Sequence, residues 1–211
     1  AAWLKALGSS AEKVRTEGER SESVKEDVGE FITHRPGTLG IGVLGSDRRI
    51  RWLETKPGFE LPERFEELGV SRTLTEQVDS GRQGLAKAPR SVWEGKWVLV
   101  GYTPLRQGSG QEGGLIAVIQ IQPFLDSVLN PNVATGNAVE VWDGHERFYS
   151  GMSTDARFKN NYAESLPLRT VGQEWSVVVW PTNLNRESLS LPRLSLIIGV
   201  ILFTLFSMAI H

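Results

Sequence analysis

Residues able to do acid–base, nucleophilic or metal chemistry are few in this 211-residue sequence, and poorly placed for it. There is no cysteine, and there are three histidines. His34 precedes Pro36-Gly37, His145 follows the Asp143-Gly144 turn and His211 is the last residue. No two share the short helical or strand spacing with which one element presents a pair of metal ligands. No Gly-x-Ser-x-Gly turn exposes a serine, so a nucleophilic triad is not expected. Glu63, Glu66 and Glu67 fall in a charged helical stretch that reads as a solvated face rather than an acid–base dyad. The glycine-rich Gly108–Gly114 lacks the Lys-Ser/Thr of a phosphate cradle and reads as a hairpin connection. The chain is therefore expected to be non-enzymatic, with no catalytic residue, no metal and no cofactor. What stands out is aromatic: seven tryptophans, of which Trp52, Trp93 and Trp97 lie with Tyr102 on or beside stretches patterned as strands.

The elements that must position these side chains are legible in order. From Ser9 to Thr33 the sequence is rich in Glu, Lys and Arg, and Val24, Val28, Phe31 and Ile32 form one apolar stripe. That pattern predicts a long charged helix with one docking face, stopped by Pro36-Gly37. Leu39–Leu44 and Arg49–Leu53, joined through Gly45-Ser46-Asp47, read as a β-hairpin. Between Leu61 and Gly81 the period changes to helical, with Thr73 and Glu76 spaced as a capping box. After Pro89, the strands Ser91–Trp93, Lys96–Leu105 and Leu115–Gln122 are expected to form an antiparallel meander. Pro123 suits the first turn of a short helix over Phe124–Leu129, which Asn130-Pro131-Asn132 would end.

A smaller antiparallel group follows: Ala138–Trp142, Arg147–Tyr149, Leu168–Val171 and Trp175–Trp180, closed by Pro181. No strand–helix–strand alternation runs through the chain, so the class is α+β.

With 23 basic against 25 acidic side chains, there is no strong field for nucleic acid, and none is expected as a partner. Leu194–Ile210 carries no charge in a chain that is 23% charged. At ~1.5 Å per residue it spans about 25 Å, close to the roughly 30 Å hydrocarbon core. It is expected to be a transmembrane helix, cut short at residue 211. The opening Ala1-Ala2-Trp3-Leu4-Lys5 has the small, apolar and aromatic mixture of a juxtamembrane segment, so an earlier membrane span is expected upstream.

Several phrases, in this order, resemble the extracytoplasmic PAS-like sensor domains of bacterial transmembrane receptors, the CHASE and Cache group. They are His34-Arg35-Pro36-Gly37 leading into Gly40-Ile41-Gly42-Val43, then Arg49-Ile50-Arg51-Trp52, then Gly101-Tyr102-Thr103-Pro104-Leu105. Gly114–Val118 before Phe124-Leu125, and Trp175–Pro181, complete the set. The resemblance implies an N-terminal helix over residues 1–34, a membrane-distal PAS-like sensor unit over 35–130 and a smaller membrane-proximal antiparallel unit over 131–182. A juxtamembrane linker over 183–193 and the transmembrane helix over 194–211 would follow. It also implies an inner-membrane receptor with its soluble part periplasmic or extracellular. A small molecule bound by the first unit would signal, through the last strand, to a cytoplasmic histidine kinase or cyclic-di-GMP enzyme. A homodimer through the Ser9–Thr33 helix is expected. The ligand motifs of amino-acid-binding Cache domains and of cytokinin-binding CHASE domains have no clear counterpart here.

A PAS-like sheet encloses a pocket, and such pockets are apolar and aromatic with a few polar anchors. The expected ligand-binding residues are therefore Trp52, Arg72, Trp97, Tyr102 and Gln120, with Arg51 as a further polar candidate. Along Lys96–Leu105, alternation sets Trp97, Leu99, Gly101 and Thr103 on one face and Val98, Val100 and Tyr102 on the other. Two other functions fit the same composition. A non-sensing interaction or dimerisation module would have a closed, fully packed first unit, and a membrane-anchored hydrolase would need converging catalytic groups.

Overall fold

Gly18 divides the charged N-terminal stretch. In the computed structural model, α1 covers Ala2–Glu17 and α2 covers Glu22–His34. Between them Gly18 adopts φ +86° and donates its N–H to the Val14 carbonyl at 2.9 Å, the left-handed closure that glycine makes at helix ends. The single helix expected from Ser9 to Thr33 is thus two. Each buries one stripe, Leu7, Ala11 and Val14 on α1 and Val24 and Val28 on α2. The structure describes residues 2–107, 110–133, 137–151, 159–170 and 173–182. The membrane helix expected at Leu194–Ile210 and the linker before it lie outside them. Among the described residues, no helix is long and apolar enough to cross a membrane.

The chain divides into two compact units, residues 2–124 and the part from Leu125 onward. The first holds β1 (Thr38–Leu44), β2 (Ile50–Thr55), β3 (Gly84–Ala88), β4 (Val98–Gln107) and β5 (Gly110–Gln120). They form an antiparallel sheet in the order β2-β1-β5-β4-β3. The expected hairpin is β1–β2. The meander is present too, but its first strand is β3 and not Ser91–Trp93, which forms turns. Gly84-Leu-Ala-Lys-Ala carries a clean alternation of burial written with alanines, whose weak strand preference hid it.

Between β2 and β3 run a 3-10 turn, Phe65–Leu68, and α3, Arg72–Asp79. Ser71 occupies the N-cap position of α3 without a side-chain capping bond. Thr73 lies inside the helix, so the Thr73/Glu76 capping box does not form.

Both faces of the first sheet are covered. Val98, Val100 and Tyr102 of β4, Ile116 and Val118 of β5, and Ala86 and Ala88 of β3 pack with Phe65, Leu68, Leu74 and Val78 from the β2–β3 connection. Each such large apolar side chain contributes about 1.5–3 kcal/mol through burial. On the other face, α1 packs on β4 and β5, and α2 packs on β1 and β2.

α4 spans Ile121–Val133 and continues through Asn130-Pro131-Asn132, where a stop was expected. The second unit then contains β6 (Asn137–Asp143), β7 (Glu146–Gly151), a short helix α5 (Lys159–Tyr162), β8 (Glu164–Thr170) and β9 (Gln173–Pro181). Its sheet is antiparallel in the order β7-β6-β9-β8. The four expected strands are all found, with β8 beginning earlier than its apolar residues suggested, while α5 was not foreseen.

Candidate ligand-binding site

The site begins with two glycines on β1. A Cβ on Gly40 would meet Leu61 Cδ1 at 2.2 Å and the Trp52 ring at 3.3 Å, and one on Gly42 would meet the same ring at 3.0 Å. Their bare backbone lets the Trp52 indole lie flat on the strand. Trp52 Nε1 donates to the Pro62 carbonyl at 2.9 Å, which ties the connection after β2 to the sheet.

That connection forms one wall of a hollow of about 350 Å³. Gly58, Phe59, Glu60 and Pro62 stand on one side, Val92, Trp93, Glu94 and Lys96 on the other, with Leu39 and Val98 from the sheet. The second wall is held by Trp93, which is buried and donates its indole N–H to the Leu68 carbonyl at 3.2 Å. Glu94 and Gly95 follow with φ of +51° and +79°. This tight turn presents Lys96, whose ammonium lies 3.1 Å from Glu94 Oε2 and 5.1 Å from the centre of the Phe59 ring.

The hollow therefore has apolar and aromatic walls and a charged rim of one ammonium and two carboxylates. Such a surface suits recognition: the walls take an apolar body, Lys96 takes an acceptor, and Glu60 and Glu94 take donors. Among the described residues, no group of three or more acidic or histidine side chains could hold a metal ion.

None of the five residues expected from the sequence lines this hollow. Trp52 stands behind its wall, joined to it through Pro62. Tyr102 is 1% exposed, packs in the core beneath the β2–β3 connection, and donates its hydroxyl to the Gly113 carbonyl at 3.2 Å. Gln120 sits opposite Val98 in the sheet register, its backbone N–H bound to the Gly37 carbonyl at 2.7 Å. Trp97 is half-buried at the head of β4, under the cations of Lys87 at 4.7 Å and Arg90 at 5.2 Å. Arg72 is exposed on α3, with Nε on Glu76 at 2.8 Å. Arg51 pairs outward with Glu19 at 3.0 Å. Phe59, Glu94 and Lys96, which line the hollow, are not among the residues that the sequence singles out. The readable signals were Pro57-Gly58 ahead of Phe59, and Trp93-Glu94-Gly95-Lys96, a glycine turn between an aromatic and a cation.

No protein-family profile matches the sequence, and no curated protein matches it. Solved structures do. An extracellular ligand-binding receptor from Desulfohalobium retbaense aligns over 84% of this chain with a TM-score of 0.58 and 14% identity. The chain spans 36% of that receptor's length. The ligand-binding domain of the Pseudomonas aeruginosa amino-acid chemoreceptor PctB, in complex with L-Arg, aligns over 90% of this chain and 91% of its own, with a TM-score of 0.56 and 11% identity. The sensory domain of the Campylobacter jejuni chemoreceptor Tlp3 aligns over 84% and 83%, with a TM-score of 0.52 and 11% identity. The chain thus has the fold of the extracytoplasmic, PAS-like sensor domains of chemoreceptors.

Proposed function

We propose that this chain is the extracytoplasmic sensing domain of a membrane-bound receptor, and that it binds a small organic molecule in the hollow of its first unit. The observation that carries this reading is the hollow itself, about 350 Å³ between Phe59 and Trp93 with Lys96, Glu94 and Glu60 at its rim. An ammonium paired with Glu94 on one wall, and the Glu60 carboxylate on the other, suit a zwitterion or an organic cation of amino-acid size. The neighbours support that class, since PctB was solved with L-Arg and the Pseudomonas fluorescens chemoreceptor CtaA with L-alanine.

Trp52 acts as the backing of the pocket wall, while Trp97, Tyr102, Gln120 and Arg72 affect binding only through the elements they hold. Membrane attachment through Leu194–Ile210, a homodimer through the N-terminal helices and an output of the histidine kinase or cyclic-di-GMP type complete the proposal. A ligand shifts such a receptor only by its difference in affinity for two states, about 2.7 kcal/mol for a hundredfold preference.

The test is a thermal-shift screen of amino acids and small amines against the whole chain and against Phe59→Ala and Lys96→Ala. A ligand that stabilises the parent and fails to stabilise both variants supports the reading. A complete screen with no shift, or shifts that both variants retain in full, sinks it.

A further inference from the structure

The second unit holds a charged cluster unlike anything in the hollow. Glu140 on β6 has its side chain 4% exposed. It accepts from Trp142 Nε1 at 3.0 Å, from Arg147 at 2.9 Å and from the Lys159 ammonium. The same ammonium sits 5.3 Å from the centre of the Trp142 ring and 5.1 Å from that of Trp180. Register places Glu140 and Trp142 on one face of β6, with Trp180 of β9 on the same face opposite Ala138. A buried carboxylate beside two indole faces is the chemistry that accepts an organic ammonium.

Here the cation comes from the chain itself, on a weak support. α5 has four residues and buries none of them, and Lys159 is the side chain through which it reaches Glu140 on β6. When Lys159 leaves, Glu140 keeps Arg147 and Trp142, and the recess does not collapse into an unpaired buried charge.

We propose that the Glu140–Trp142–Trp180 recess is a binding site for a small primary ammonium, filled from within by Lys159, so that an external alkylammonium and Lys159 exclude one another. A tethered lysine acts at an effective concentration on the order of millimolar, so the parent protein responds only to amine in excess of that. Occupancy by the external amine frees α5 from β9 beside Trp180, the residue before the closing Pro181 of the strand. The proposal does not depend on the hollow in the first unit.

The test uses the whole chain, with n-butylammonium chloride as the probe and equal sodium chloride and 1-butanol as controls. In Lys159→Ala, the amine is expected to raise the melting temperature and change tryptophan fluorescence saturably, with half-effect at a concentration at least about tenfold below that for the parent. The Glu140→Gln/Lys159→Ala double variant is expected to lose the response. If Lys159→Ala does not fold alone, recovery of folded protein in the amine and not in the salt is the same result. Equal amine responses in the parent, the single and the double variants overturn the proposal, as does a Lys159→Ala chain that the amine neither stabilises nor refolds.

Discussion

On the first sheet, the face turned toward the β2–β3 connection carries Val98, Val100, Tyr102, Ile116 and Val118, and among the described residues of that unit no charged residue is buried. On the second, the face under α5 carries a carboxylate 4% exposed, bound by an arginine and a lysine. The first sheet is closed by apolar volume, and where the connection fails to fill that volume a hollow is left. The second carries an ion cluster on the face where α5 meets it. A gap in apolar packing can be entered by any body of the right shape, whereas a satisfied buried carboxylate admits only a replacement cation. The two halves of the chain are therefore expected to respond to different perturbations.

The largest effect separating them is at Glu140. Glu140→Ala removes the shared acceptor of Trp142, Arg147 and Lys159 and is expected to cost about 1.5–3 kcal/mol in urea unfolding. Burial works to raise the Glu140 carboxyl, but hydrogen bonds from Lys159, Arg147 and Trp142 outweigh it and hold the group below the ordinary carboxylate range. A depressed value stabilises the fold above the unfolded-state value, near 4.3 for Glu, and that stabilisation is lost as pH falls through the folded value. Stability measured from pH 6 downward is expected to fall less steeply in Glu140→Gln than in the parent. Equal acid limbs would break the contrast.

Next in size is Trp93→Phe, which leaves the Leu68 carbonyl without its donor. It is expected to cost about 1–3 kcal/mol and, unlike Glu140→Ala, to show no acid dependence of its own. Phe59→Ala opens the rim of the hollow where the side chain is only half-buried. It is expected to change stability by less than about 1 kcal/mol while weakening any ligand of the hollow roughly tenfold, read as a lost thermal shift. Smallest is Arg72→Ala, where the Glu76 pair is exposed: unfolding is expected to change by no more than about 0.5 kcal/mol, with ligand response intact.

The order of strands was readable because alternation and turn residues are local. Leu39–Leu44, the Asp47 turn and the Asp143-Gly144 turn each carry their instruction within a few positions. The misses share a cause. Gly18 ends a helix through its own φ, in the middle of an otherwise helical charge pattern, and nothing in the neighbouring residue types marks it as more than a tolerated glycine. Pro131 reads locally as a stop, yet α4 runs on past it. β3 was masked by its alanines, whose burial is conferred by Phe65, Leu68 and Leu74 packed above them.

For the candidate site, the residue classes were legible and the positions were not. An aromatic, partly charged hollow was expected, but around Trp52, Tyr102 and Trp97. Alternation set Tyr102 and Trp97 on opposite faces, and only the cover over each face determines which one meets empty space. The sequence by itself determined the α+β order of elements, the absence of cysteine chemistry and the aromatic richness near the first sheet, because these depend on residue type and short-range period. Tertiary structure alone decided that Tyr102 is core, that Phe59 and Lys96 meet at a rim, and that Lys159 reaches a carboxylate 19 residues away. Those outcomes rest on which chain segments lie across each sheet, and no local pattern encodes them.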